Sequence, residues 1–138
     1  MNTGLIITIC LLFLVVVLFL LASSPRKRVS ASKKAELYQD FAKLYSSAVS
    51  DNPSVRRDAF IKMDNILSKA LQAYYSNNET CGTNLKSAKK VFPKKEYEKI
   101  WEVHKLRNDI VHKDADVSKE ESSKAFNVYK MSLVTLLK

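Results

Sequence analysis

Nineteen consecutive residues, Gly4 to Ala22, read GLIITICLLFLVVVLFLLA, with no charge and no proline. No other feature limits the chain as much. At ~1.5 Å of rise per residue, such a helix is about as long as the ~30 Å hydrocarbon layer of a bilayer is thick. A cleaved signal peptide would want a basic start and a shorter apolar run. Met1-Asn2-Thr3 carries no side-chain charge, and Pro25, directly after Ala22-Ser23-Ser24, would hinder cleavage. The sequence therefore predicts a permanent anchor over residues 1–24.

Charge sets the orientation. Arg26, Lys27, Arg28, Lys33 and Lys34 follow the apolar run, and no basic side chain precedes it. Lys and Arg close to a span stay on the cytoplasmic side. The expected location is the cell membrane, single-pass, with a short N-terminus outside and the rest of the chain in the cytoplasm. Residues 25–34 read as a basic linker whose five cations meet anionic lipid head groups. The formal net charge of +9 then divides: without those five, 18 Lys and Arg stand against 14 Asp and Glu, or +4. That remainder permits contact with nucleic acid without demanding it.

Residues 35–138 are enough for one modest core. Their periodicity is helical, with almost no strand signal. A first helix is expected over about 35–49, with Leu37, Phe41, Leu44, Tyr45 and Ala48 on one face. Asp51-Asn52-Pro53 supplies a cap and a proline suited to a helix start. The second helix, about 54–75, has Phe60, Met63, Ile66, Leu67, Ala70, Leu71 and Tyr74 as its apolar line. SNNETCGTN reads as a loop. A short helix over roughly 85–91 precedes Pro93, and a long one follows over about 94–111. The last opens at Ser118-Lys119-Glu120-Glu121, a capping-box pattern, and runs to the C-terminus. The expected fold is all-α: one transmembrane helix, then an antiparallel bundle of four to five helices over 35–138.

Some chemistries are excluded or poorly supported. Gly4 and Gly82 are the only glycines, which leaves no Gly-rich phosphate loop. Cys10 in the span and Cys81 in the expected loop offer no disulfide and no zinc spacing. His104 and His112 alone make a poor metal set. No metal and no cofactor is expected.

The informative stretch is HKLRNDIVHK, His104 to Lys113. On a helical wheel, Ile100, Val103, Leu106, Ile110 and Val111 form a broad apolar arc with Arg107 in its middle. His104 and Asn108 lie at its margin, one turn apart. A guanidinium keeps its charge, so inside a core it needs a partner. Asp64 is the matching oddity on the second helix, beside Phe60, Leu67 and Leu71. The expectation is a structural ion pair of Asp64 with Arg107 or with His104. His112 would lie ~140° round from Arg107 on a continuous helix. Lys113-Asp114-Ala115-Asp116 is poor helix material, so the helix is expected to end near His112 and let the imidazole turn back.

Arg107-Asn108-Asp109-Ile110-Val111-His112 resembles the Arg-(four to six residues)-His motif of the HEPN superfamily. The flanks are similar too: WEVHKL leads in, and an acidic turn and a final helix follow. The arrangement further resembles small bacterial HEPN-like proteins with an N-terminal span, in which a stretch like Gly82 to Ser87 precedes the motif helix. The resemblance covers roughly residue 59 to the C-terminus. It implies a small helical bundle that pairs as a homodimer. It also implies, in the active members, metal-independent RNA cleavage. There His112 would be general acid or base, Arg107 would stabilise charge on phosphate, and Asn108 would orient His112 or hold a phosphate oxygen. Inactive members keep the motif as a structural or binding element. Three roles stay open: a membrane-tethered binding or interaction module for RNA, nucleotide or a protein partner; an endoribonuclease; and a nucleotide-sensing or toxin–antitoxin-type component.

Overall fold

A computed structural model describes residues 2–22 and 28–138. The described residues form helices α1 (Thr3–Ala22), α2 (Ala31–Ala42), α3 (Tyr45–Ala48), α4 (Pro53–Tyr75), α5 (Cys81–Ser87), α6 (Lys94–Lys113) and α7 (Lys119–Leu136). A 3₁₀ turn, Ala88–Lys90, links α5 to α6, and no strand occurs among these residues. Helix α1 is long and apolar enough to cross a membrane, and none of its residues is buried. Arg26 and Lys27 of the basic linker lie outside the described residues.

Local signals explain most helix ends. Asn52 accepts from the N–H groups of Ser54 and Val55, and Pro53 occupies the first turn of α4. Ser118 and Glu121 form a reciprocal capping box at α7. Two non-glycine residues, Ser76 and Asp114, adopt left-handed φ values of 52° and 54° and close α4 and α6. Asn and Asp tolerate that region better than most residues, so Asp114 is a natural stop.

Four bounds differ from the sequence expectation. Helix α2 begins at Ala31, because the Ser30 hydroxyl accepts from the Lys33 N–H. Lys33 and Lys34 are therefore helical, and the linker is shorter than residues 25–34. The expected single helix over 35–49 breaks at Lys43 and Leu44, where N–H groups bond three residues back as well as four. Cys81 is not in a loop: Thr80 caps α5, and Cys81 opens that helix in a buried position. Finally, α6 runs through Lys113, held by Arg57 on Ile110 O and on the Asp114 carboxylate.

The long helices pack around Phe60, Met63, Leu67, Leu71, Leu85, Ile100, Ile110, Tyr129 and Leu133, all nearly or fully buried. Their directions follow from cross-helix bonds. Arg57 meets the end of α6 while Asp64 meets its middle, so α4 and α6 are antiparallel. Lys119 meets Asp51 and Tyr129 meets Asp64, so α7 runs with α4. Lys34 meets Lys138 and Tyr38 meets Leu133, so α2 runs against α7. Phe41 and Tyr45 both contact the Phe126 ring, at centroid distances of 4.5 and 5.1 Å. Val111 and Tyr45, read as core, are instead exposed at 44% and 53%.

Candidate functional site

Asp64 is only 2% exposed, one turn after Phe60 and one before Leu67 on the apolar side of α4. A desolvated carboxylate requires hydrogen bonds. His104 Nδ1 stands 2.9 Å from Oδ1 and 3.2 Å from Oδ2, and the Tyr129 hydroxyl donates to Oδ1 at 3.1 Å. Arg107 Nε is 3.6 Å from Oδ2, an ion pair rather than a hydrogen bond. Asp64 therefore meets both residues that the sequence put forward, His104 by hydrogen bonding and Arg107 by the longer charge contact. Burial and the adjacent Asp64 charge push the Tyr129 phenol well above its ordinary pKa, which keeps it a donor.

The network continues outward along one row of α6. Asn108, one turn after His104, places Nδ2 3.5 Å from His104 Nε2. A carboxylate only accepts, so Nδ1 of His104 carries a proton toward Asp64. Arg107 is three-quarters buried; its NH1 donates to Asn108 Oδ1 at 3.2 Å and its NH2 to Asn65 Oδ1 at 3.4 Å. Trp101 packs its ring edge-on against His104.

Asp64, His104, Arg107 and Asn108 line a cleft of about 400 Å³ between α4, α5 and α6. Asn65 and Ser68 come from α4, Thr80 to Gly82 from the start of α5, and Arg107 and Asn108 from α6. Of the residues proposed for catalysis, Arg107 and Asn108 share this cleft and His112 does not. The continued helix puts His112 ~140° from Arg107, one turn beyond Asn108, with its side chain exposed. The backbone turn expected at His112 occurs two residues later, so it does not swing the imidazole toward Arg107.

Asp64, Cys81 and His104 bring donor atoms within 4.8 Å of one another. The set suits a metal poorly. Asp64 Oδ1 already accepts from His104 and Tyr129, and the Arg107 cation faces Oδ2. Burial, with the Asp64 charge, pushes the Cys81 thiol far from thiolate. A second cavity, about 500 Å³ between α6 and α7, has an apolar floor of Val103, Leu106, Val128 and Met131. Its rim alternates in sign: Lys99 and Glu102 on α6, Glu121 and Lys124 on α7.

Sequence reasoning missed Tyr129, Cys81, Asn65, Ser68 and Thr80 as parts of this region. Tyr129 carried a usable signal, since a tyrosine on a buried line needs a partner for its hydroxyl. No family model, curated protein or solved structure matches this chain.

Proposed function

We propose that the chain is a membrane-anchored binding module. In this reading α1 is a single-pass anchor, the short N-terminus lies outside and the bundle lies in the cytoplasm. The cleft between α4, α5 and α6 takes the phosphate of a nucleotide, free or within RNA. One observation carries the proposal: the Arg107 guanidinium presents NH1 and NH2 to neutral asparagine oxygens only, at 3.2 and 3.4 Å. Asp64 Oδ2 faces Nε, on the inner edge of the group, at 3.6 Å. A phosphate can replace two long neutral bonds with two shorter charged ones, which are about twice as strong. Asn65 and Asn108 can then turn their amide N–H groups to the same oxygens. A cleft of about 400 Å³ is also of the size that holds a small ligand.

The test is thermal unfolding of the full chain in detergent micelles, titrated with a 5′-mononucleotide and with a short oligoribonucleotide. Ligand at about a hundred times its Kd should stabilise the bundle by ~2.7 kcal/mol. No stabilisation by either ligand would sink the reading.

A second reading is supported by the exposure of His112 at the last turn of α6. Paired copies of the chain could bring His112 of one near Arg107 and Asn108 of the other, as the HEPN resemblance implies. The result would be a metal-independent endoribonuclease. Cleavage that persists in EDTA and is lost in His112→Ala would favour it over simple binding.

A further inference from the structure

Between Leu85 and Lys95 the chain carries five lysines, Lys86, Lys89, Lys90, Lys94 and Lys95, all exposed, and no acid. None of them has an ion-pair partner among the described residues, as is also true of Lys69, Lys99, Lys105 and Lys130, whereas Lys113, Lys119 and Lys124 toward the other end all do. The directions of the helices fix where this cluster lies. Asp64 and His104 mark one level of the bundle. Lys94 precedes His104 by ten residues, or ~15 Å along α6. Tyr75 follows Asp64 by eleven, or ~16 Å along α4. Because α4 and α6 are antiparallel, both displacements point to the same end. Tyr129 sits at the Asp64 level, so Lys138 lies toward that end too, bonded to Lys34 at the start of α2. Helix α5 climbs the same way, from Cys81 beside the Asp64 level to Leu85, whose carbonyl accepts from Tyr97.

The start of α2 is where the chain arrives from α1. Eight residues, 23–30, separate the two helices, and they can span at most ~28 Å. The basic end of the bundle is therefore the end tethered to α1. At the opposite end charges of both signs balance: Asp51, Asp58, Asp109, Asp114 and Glu120 are each paired with a Lys or Arg. Acids do occur at the tethered end: Glu79, Glu96 and Glu98, and Glu36, which is paired with Lys33.

We propose that Lys86, Lys89, Lys90, Lys94 and Lys95 form a docking surface for anionic phospholipid head groups, which lays the tethered end of the bundle on the bilayer. The proposal rests on the reading of α1 as an anchor. Basic side chains within about a Debye length of an anionic surface are attracted to it, and the tether keeps these five near it. RNA would also be drawn to lysines, but this end is the one closest to the membrane and least open to a large polyanion.

The test is lysine acetylation footprinting of the full chain reconstituted into vesicles. One set is pure phosphatidylcholine; the other contains equal parts of phosphatidylglycerol. Mass spectrometry reads each lysine. In the anionic vesicles Lys86, Lys89, Lys90, Lys94 and Lys95 should label at least ~3-fold more slowly, and salt at about 0.5 M should remove the protection. Lys113 and Lys119, at the far end, should label alike in both. Alkaline carbonate washing separates the two ways to fail. A chain that stays embedded while all its lysines label alike in both vesicles overturns the docking surface alone. A chain released by carbonate overturns the anchor and the docking surface together.

Discussion

Asp64 on α4 and His104 on α6 meet at 2.9 Å with both side chains buried, and this pair ties the two central antiparallel helices at mid-height. Tyr129 adds α7 to the same oxygen at 3.1 Å. One carboxylate thus joins three helices.

Removing that carboxylate should be among the most damaging single changes. Asp64→Ala leaves His104 and Tyr129 without an acceptor and strands the Arg107 cation. The expected cost is ~3–5 kcal/mol. Tyr129→Phe deletes one donor while His104 remains, so ~1 kcal/mol is expected. Urea unfolding of the full chain in micelles measures both. Equal costs would mean that Asp64 does not organise the network.

Arg107 is a lesser member of the same group, at 3.6 Å from Oδ2 and without a hydrogen bond on Nε. In a double-mutant cycle, Arg107→Met with Asp64→Asn should show a coupling of ~1 kcal/mol. The double variant should cost less than the two singles together, since neither charge is left alone. Strict additivity would show that the two side chains act independently.

The capping box of α7 gives a pH dependence with a definite sign. Hydrogen bonds from the Ser118 backbone N–H and hydroxyl hold the Glu121 carboxyl below its ordinary value of about 4.5. Its folded-state pKa is lowered, so the stability it contributes is present above that ordinary value and is lost as the pH falls through the lowered one. Glu121→Gln keeps the shape of the cap without the titration. Below about pH 4.5 the variant should lose stability less steeply than the wild type. Parallel acid limbs would contradict the assignment.

Much of this was legible in residue order, for physical reasons that differ by position. Asp64 and Arg107 announced themselves because a charge on an apolar stripe has to be neutralised, and the pairing of α4 with α6 followed. Tyr129 showed only that its hydroxyl needs a partner, and three-dimensional proximity is what names Asp64 as that partner. Cys81 read as loop because the turn formers of SNNETCGTN mask the cap at Thr80. Arg56 carries no local sign of burial, yet it is buried against the carbonyls of Ser50, Asp51 and Val117. Those acceptors belong partly to a loop 61 residues away, which no local pattern encodes.

His112 separates binding from catalysis. Its side chain is exposed in the last turn of α6, so His112→Ala should change stability by less than ~0.5 kcal/mol. If the chain cleaves RNA, the same variant should lose ~10²-fold or more in rate, the ordinary worth of a general acid or base. A variant that keeps full cleavage would remove His112 from the mechanism.

Whether Arg107 offers its outer edge to a phosphate decides between a binding cleft and a purely structural network. Equilibrium binding of a 5′-mononucleotide to the full chain in micelles reads this out, comparing wild type, Asn108→Ala and Arg107→Gln, each first shown to keep its helical content. The wild type should bind saturably, and Arg107→Gln should lose about tenfold or more in affinity, as expected when a charged bidentate contact is removed. Asn108→Ala should fall between the two. Equal affinity in a folded Arg107→Gln variant, or no binding by the wild type, would contradict the phosphate-binding role of the cleft.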